Sequence, residues 1–245
     1  MKKRERQSNK EAPRPARDAI ASRMCEKRTA ILTAATRVFL DAGYGAASMD
    51  AIARVAGVSK QTIYSHFGGK AALFEAIIAI NSGRMLEVLE HRDAANTDPA
   101  AALEAMAQRL LEIILAPDAL ARFRVVMAES ARFPELAEIY YRTGPERVTV
   151  GLAAFLAKLH QKGLLEIPDP LVAASQFFGM VRGDLFIRGL LRIEPLPPPD
   201  DVRSLTRVAV CAFLLAHQPG DGNPPGEQAD DWHGRCHAVI GENAS

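Results

Sequence analysis

The segment from Ser48 to Phe67 constrains the fold more than any other part of this chain. Its apolar spacing predicts a short helix from about Met49 to Ala56, and Gly57 can take the left-handed backbone conformation that ends such a helix. Ser59 is then placed to cap a following helix, from Lys60 to about His66, by accepting a backbone N–H. The residues that face inward are small or branched, as close packing of two short helices requires: Ile52, Ala53, Val58 and Ile63.

The outward face of the second of these helices carries hydrogen-bond donors and no acidic residue. Two short helices joined by a tight turn can lay the second helix in the major groove of B-DNA while the first crosses the backbone. There, Gln61 could pair with N6 and N7 of adenine, Thr62 could touch a thymine methyl, and Lys60 could reach guanine or a phosphate. The segment therefore predicts a helix-turn-helix that reads double-stranded DNA.

Helical periodicity continues beyond this segment, and we predict an all-α fold. Before it, Ile31, Ala34, Ala35 and Val38 recur at helical spacing. After it, a helix begins near Gly69, and further helices are predicted over residues 84–92, 100–115, 118–131, 135–142, 146–162, 170–191 and 201–217. The breaks between them carry Pro or Gly. No stretch alternates with a period of two, so we expect no sheet.

Charge is distributed unevenly along the 245 residues. Residues 1–70 hold 14 Lys/Arg and 6 Asp/Glu, a net charge of +8, whereas the other 175 hold 16 and 23, a net charge of −7. A basic segment joined to an acidic body suggests that the N-terminal part meets a polyanion, although a basic tail beside an acidic surface would give the same charges. We predict four regions: a basic flexible arm (1–24), a DNA-binding domain (25–85), a helical regulatory and dimerisation domain (86–217) and a disordered tail (218–245).

Several classes of protein are not expected. There is no phosphate-binding glycine loop, nucleophile elbow, HExxH or paired-carboxylate motif, so we predict neither an enzyme nor a cofactor. The three cysteines are odd in number and far apart, which argues against a disulfide framework and fits a reducing cytoplasm. No apolar run reaches the roughly 18 residues of a membrane helix. His233, Cys236 and His237 lie in the predicted tail and lack a fourth ligand, so no metal site is expected.

From Ile31 to Leu73 the chain resembles the DNA-binding domain of TetR-family transcriptional regulators. The matching positions stay in register over about forty residues: the apolar face Ile31–Phe39, Gly43-Tyr44, Met49, Ile52-Ala53, Ala56-Gly57-Val58-Ser59, Ile63-Tyr64, His66-Phe67, Lys70 and Leu73. The resemblance implies an N-terminal three-helix domain containing the helix-turn-helix, followed by a variable C-terminal helical domain that binds a ligand and forms a homodimer.

The resemblance also implies roles for single residues. In this family the residues at the Tyr64, His66 and Lys70 positions commonly meet phosphates. Those at the Lys60, Gln61 and Thr62 positions commonly reach bases. Ala47 stands where a hydroxyl residue often begins the second helix, which leaves Ser48 as the nearby cap or phosphate donor. Ser59 has the alternative of a purely structural cap, and Tyr64 that of bracing the helices. The predicted DNA-contacting residues are Ser48, Ser59, Lys60, Gln61, Thr62, Tyr64, His66 and Lys70.

The segment from about Phe123 to Leu215 resembles the regulatory domain of AefR-like members of this family, on the run from Arg124 to Leu136. Ligand pockets between helices are lined by aromatic and apolar residues with a few polar groups. Most such residues at helical spacing belong to the core, so the predicted pocket is a subset: Phe123, Met127, Tyr140, Phe155, Phe178 and Arg182. Arg124 and Glu129 are further candidate anchors, with surface or interface salt bridges as the alternative.

In this family the last two helices of each subunit pack into a four-helix dimer interface. Both final helices predicted here have extended apolar faces, and the predicted interface residues are Phe177, Met180, Val208 and Ala212. We therefore expect a cytoplasmic homodimer that binds a palindromic operator and, by family analogy, represses transcription until a small, largely apolar effector binds. The alternative is an architectural or division-linked DNA-binding protein without a ligand. A cavity in the C-terminal body favours the first hypothesis, and a filled core favours the second.

Overall fold

A computed structural model describes residues 14–90, 98–193, 198–219 and 234–239 of the chain. The described residues form helices joined by short connections, and no strand occurs among them. The predicted all-α fold is confirmed.

The helices follow one another in two groups. The first group is α1 (Arg14–Ala46), α2 (Met49–Ala56), α3 (Lys60–Phe67) and α4 (Lys70–Glu90). The second is α5 (Pro99–Ile114), α6 (Pro117–Glu129), α7 (Pro134–Tyr141), a π-helical turn (Arg142–Glu146), α8 (Arg147–Gln161), α9 (Pro170–Arg182), α10 (Leu185–Leu191) and α11 (Pro199–Ala216). Proline opens α5, α6, α7, α9 and α11, at the position where its missing N–H would have no helical partner.

Two hydrophobic clusters hold the helices together. The first joins α1, α2, α3 and α4, and it also includes Val126 of α6 and Leu136 of α7. The second joins α5, α8, α9 and α11, together with Met85 and Leu89 of α4. Since α4 contributes its beginning to one cluster and its end to the other, it connects the helix-turn-helix to the C-terminal body.

Two predicted helix boundaries are wrong. The predicted helix 170–191 is interrupted at Gly183, whose φ of +46° takes the backbone out of the helical region and separates α9 from α10. Conversely, the segment 84–92, predicted as a separate helix, begins inside α4. Gly83 stays helical there, so this glycine does not end the helix.

The N-terminal arm also differs from the prediction. Because α1 begins at Arg14, the second half of the predicted flexible arm, residues 1–24, is helical. Residues 22–30 are exposed throughout, which explains why no apolar periodicity marks this part of the helix. Residues 1–13 lie outside the described part of the chain.

The predicted disordered tail contains a helix at residues 234–239. Its Cys236 is buried against Cys211 of α11, and its Arg235 forms an ion pair with Asp98 at 2.9 Å. Burial of the small apolar side of this helix against the second cluster accounts for its order. The rest of the predicted tail beyond residue 219 lies outside the described residues.

A substitution at Gly57 tests the turn between α2 and α3. Its φ is +66°, and an alanine there would adopt a left-handed conformation that costs roughly 1–2 kcal/mol. We expect Gly57→Ala to lower the free energy of unfolding by that amount in urea denaturation at fixed protein concentration. The control is Gly83→Ala inside α4, which has open space around a new Cβ and should raise the free energy of unfolding by about 0.5–1 kcal/mol. Equal effects of the two substitutions would contradict the assignment.

Candidate functional site

Two serine hydroxyls fix the geometry of the helix-turn-helix. Ser48 is the N-cap of α2, where its Oγ accepts the N–H of Ala51 at 3.1 Å. Ser59 is the N-cap of α3, where its Oγ accepts the N–H of Thr62 at 3.0 Å. The predicted cap at Ser59 and the left-handed Gly57 are confirmed. Each cap satisfies an N–H that the first helical turn leaves open.

The solvent face of α3 carries polar side chains and no acidic one. Ile63 is fully buried and anchors the helix to the first cluster. The Thr62 hydroxyl lies 2.8 Å from that of Ser59, so its hydrogen bonding is shared with the cap. The side chains predicted to contact bases or phosphates differ in their exposure to solvent. Lys60, Gln61 and Tyr64 are exposed, whereas Thr62 and His66 are half-buried.

Lys60 is held by an acidic side chain of the preceding helix. Its Nζ lies 2.8 Å from Oδ2 of Asp50, and both side chains are exposed. The hydrogen bond to Asp50 and the charge of that carboxylate raise the pKa of Lys60. To contact a base or a phosphate of DNA, the Lys60 ammonium must therefore leave the carboxylate of Asp50.

Lys70 is directed into the protein. Its Nζ donates to the carbonyl oxygens of Tyr44, Ala47 and Gly45 at 2.8, 3.2 and 3.4 Å, and it lies 4.5 Å from the centre of the Tyr44 ring. The ammonium thus binds two carbonyls in the last turn of α1 and that of Ala47 just beyond it, a favourable place for a cation. This arrangement differs from the predicted phosphate contact of Lys70.

The end of α1 is also held by the C-terminal body. The N–H of Gly45 donates to Oε2 of Glu129 in α6 at 2.6 Å. The ring of Phe133 packs edge-on against that of Tyr44, with 5.6 Å between their centres. Gly43 has a φ of +77°, a backbone conformation that favours glycine, and a Cβ there would displace the Glu129 carboxylate. We call residues 43–47 the α1 junction.

A cavity of about 290 Å³ lies between the helices of the C-terminal body, and it opens to solvent where the exposed side chains of Tyr141 and Arg182 line it. Its walls come from α4 to α10 and the π-helical turn, and they are mostly apolar. The polar side chains on its lining belong to Asn81, Ser82, Arg122, Tyr140, Tyr141, Thr149, Ser175 and Arg182. A concave, largely apolar site with a few polar groups is the usual form of a small-molecule site.

Arginine and tyrosine side chains dominate the electrostatics of the cavity. Burial lowers the pKa of Arg122, while the charges of Asp118 and Tyr140 act in the opposite direction. Burial raises the pKa of Tyr140, and the charges of Arg122 and Arg182 lower it. Arg122, Tyr140 and Arg182 all line the cavity, so their charges act on one another there.

Four of the six predicted pocket residues line this cavity: Phe123, Tyr140, Phe178 and Arg182. Two predictions are wrong. Met127 is 64% exposed because it lies on the solvent side of α6, and Phe155 is buried in the second cluster away from the cavity. The candidate anchors Arg124 and Glu129 also lie elsewhere, since Arg124 donates to the carbonyls of Gly189 and Leu190 at the end of α10.

Sequence reasoning missed the contributions of Arg122 and α4. Ile78, Ser82 and Met85 line the cavity and recur at i, i+4 and i+7, a spacing that marks one helix face. Arg122 directly precedes Phe123, but nothing in the local sequence separates it from Arg124 as a cavity residue.

One predicted interface residue is wrong. Phe177 has no exposed surface, and its ring packs 5.2 Å from that of Phe213 within the same subunit. Met180 is 41% exposed, and Val208 and Ala212 are half-buried. Other large apolar side chains are exposed on the same helices: Leu171 and Val172 of α9 and Leu205 of α11.

A helix-turn-helix with a donor-rich second helix, joined to a larger helical domain, defines the class of protein as a DNA-binding regulator. Comparisons with known proteins agree. The family described as bacterial regulatory proteins, tetR family, matches residues 31–77, and the AefR-like transcriptional repressor, C-terminal domain, matches residues 101–219. The chain belongs to the TetR family of DNA-binding transcriptional regulators, which are not enzymes.

Two of the following three similar proteins match most of the chain, and the third matches about a third of it. The transcriptional regulator BetI of Rhizobium meliloti is 32% identical over 213 residues, which cover 81% of this chain and 94% of BetI. The transcriptional activator FasR of Mycolicibacterium smegmatis is 36% identical over 89 residues, 36% of this chain and only 41% of FasR. The solved structure of the flavonoid-responsive regulator FrrA has a TM-score of 0.65 at 35% identity and covers 79% of this chain and 98% of FrrA.

No helix in the described part of the chain has the length and apolar character of a membrane span.

Lys70 and Lys60 allow a matched test of the α1 junction. Lys70→Met keeps an unbranched side chain but leaves three carbonyls without their donor, so we expect the free energy of unfolding to fall by about 1–3 kcal/mol. The control Lys60→Met removes only an exposed ion pair and should leave the free energy of unfolding close to that of the wild type. Thermal and urea denaturation measure both variants. A Lys70→Met variant as stable as Lys60→Met would refute the capping role.

Proposed function

We propose that this protein is a dimeric, sequence-specific repressor that binds a palindromic operator and is released from it by a small effector held in the cavity described above. The observation that carries the proposal is the position of α6. Arg122 and Phe123 of α6 line the cavity, and Glu129 of the same helix binds the α1 junction. An effector that shifts α6 would therefore act on the helix that supports the DNA-binding pair. Chromosomal DNA as the target makes the cytoplasm the proposed location.

The proposed base readers are Lys60, Gln61 and Thr62, because the N-terminal residues of the second helix meet base edges in this motif. Tyr64 and His66 lie further along α3 and are proposed to reach the phosphates. Ser48 and Ser59, at the N-termini of α2 and α3, are proposed as further DNA contacts. Lys70 is proposed to act indirectly through the α1 junction. The N–H groups at the start of α4 follow Gly69, which offers no capping side chain, and they remain a proposed phosphate site.

Dimerisation supplies the second recognition helix that a palindrome needs. A symmetric pair of α3 helices should lie roughly one DNA turn apart, about 34–36 Å, or a multiple of this distance. The exposed apolar side chains on α9 and α11 support a dimer through these helices, since large apolar patches on soluble proteins commonly mark interaction sites. The proposed interface is Val172, Met180, Leu205, Val208 and Ala212.

The cavity lining and the similar proteins support repression and release by an effector. FrrA is described as flavonoid-responsive, and five aromatic rings line the cavity of this protein: Phe123, Tyr140, Tyr141, Phe178 and Phe186. A compact, largely apolar effector suits such walls. The AefR-like domain favours a repressor, whereas FasR is described as an activator. The architectural alternative without a ligand is disfavoured, because a cavity of this kind is unnecessary for a purely structural DNA binder.

Gln61 tests the assignment of base readers. We expect Gln61→Ala to relax preference at one base pair of each half-site and to cost roughly 1–3 kcal/mol of binding free energy per contact. Tyr64→Phe removes one hydroxyl and should weaken binding to all sequences alike, with base preference and salt dependence unchanged. The measurement is binding to a panel of singly substituted operators, obtained by selection from random DNA, at several salt concentrations.

Two outcomes would refute this assignment. Gln61→Ala could leave every base preference intact, or Tyr64→Phe could change one. A purified wild-type protein that selects no common sequence from random DNA would refute sequence-specific binding altogether.

The dimer is tested by placing a charge on the exposed apolar surface. Met180→Glu in α9 and Leu205→Glu in α11 should each weaken dimerisation by about 100-fold or more, because a buried unpaired charge costs several kcal/mol. The control Val150→Glu in α8 changes a side chain of similar exposure outside the proposed interface and should leave the dimer intact. Sedimentation equilibrium measures the dissociation constants. A wild-type protein that is monomeric at micromolar concentration would disprove the proposal.

A further inference from the structure

We propose that the effector is an anion: a compact aromatic molecule with one carboxylate or similar group, bound in the cavity by Arg122 and Arg182. This inference rests on the proposed function, because it names the chemistry of the molecule that the cavity would accept. It is carried by the charges on the cavity wall and by the positions of the two arginines.

The charge balance of the cavity is one-sided. Its lining includes the two guanidinium groups of Arg122 and Arg182, and within the described residues it includes no Asp or Glu. Neither arginine has a carboxylate within 4.0 Å in the described part of the chain. Asp118, one turn before Arg122 on α6, affects it only at longer range. The cavity therefore has a net positive charge without a matching anion.

Burial of Arg122 without a nearby carboxylate disfavours the charged form of its guanidinium. It is half-buried, and burial lowers the pKa of its guanidinium despite the opposing effects of Asp118 and Tyr140. A buried cation is stable only when a partner of opposite charge or hydrogen-bond acceptors surround it. An anionic ligand would supply that partner, whereas a cationic ligand would add like charge.

The two arginines can converge on one group. Arg122 stands on α6 and Arg182 at the end of α9, and both line the same cavity as Tyr140. Nε of Arg182 donates to the carbonyl of Phe178, which orients the guanidinium and leaves its other N–H groups for a ligand. Planar guanidinium groups bind carboxylates through paired N–H donors, and the Tyr140 hydroxyl is a further donor.

The remaining walls fix the character of the rest of the ligand. Apart from the polar groups around Tyr140, the lining is aliphatic or aromatic, and the cavity volume is about 290 Å³. A flat aromatic body would stack against these rings, while the anionic group stays with the arginines. The expected ligand is therefore amphipathic, with one charged end.

The test uses naphthalene carboxylate and its neutral analogue naphthalene carboxamide, titrated by calorimetry into the full-length protein. We expect the wild type to bind the carboxylate at least tenfold more tightly than the amide, since hydrogen bonds to charged groups are the stronger ones. Arg122→Gln and Arg182→Gln should each weaken binding of the carboxylate about 10- to 100-fold while affecting the amide little. The control is Arg142→Gln, an exposed arginine of the π-helical turn outside the lining.

The outcomes separate this inference from the proposed function. Equal affinity for carboxylate and amide, unchanged in the arginine variants, overturns the anionic ligand but leaves an effector cavity. Loss of amide binding in Arg122→Gln or Arg182→Gln also overturns it, because the residue then shapes the cavity instead of binding charge. If the wild type binds neither compound and neither alters its affinity for operator DNA, both the inference and the proposed effector cavity are overturned.

Discussion

The backbone of the α1 junction carries α1 into α2 and is held from two sides. From within the DNA-binding domain, the ammonium of Lys70 binds three of its carbonyls, and from the C-terminal body the carboxylate of Glu129 binds the N–H of Gly45. The peptide group between Tyr44 and Gly45 is thus bound at its carbonyl by a cation and at its N–H by an anion, which fixes the direction in which the chain leaves α1. Tyr44, buried between Phe39, Phe74 and Phe133, completes the anchorage. The position of α2 and α3, and hence of every proposed DNA contact, depends on this junction.

The recognition helices need such support because they are short. α2 and α3 have eight residues each, below the length at which an isolated helix is stable in water. Their caps at Ser48 and Ser59 each satisfy one N–H, and their remaining stability comes from burying Ile52 and Ile63 against α1 and α4. A change in how α1 meets the body would therefore reach α3 through packed side chains, with no need for local unfolding.

Local features of the sequence made the helix-turn-helix predictable, and distant contacts explain what was missed. Gly57, the Ser59 cap and the apolar periodicity are decided within a few residues. Lys70 has acceptors 23 to 26 residues away, and these are backbone carbonyls that no side-chain pattern reveals. Phe177 and Met180 are both apolar on α9, and only the packing of Phe213 decides that Phe177 lies inside. Arg122 and Arg124 differ by about 200° around α6, which separates a cavity residue from a cap of α10.

The position of α6 also sets the scale of the proposed regulation. Arg122 in the cavity and Glu129 at the junction are seven residues apart, about 10 Å along one helix axis, so a rigid shift of α6 moves both. A tenfold change in DNA affinity requires a coupling free energy of about 1.4 kcal/mol. A hydrogen bond to a charged group contributes about 1.5–3 kcal/mol, so the Gly45–Glu129 contact alone has the required magnitude. An effector that favours a position of α6 in which this single contact is lost would need no larger rearrangement to release the operator.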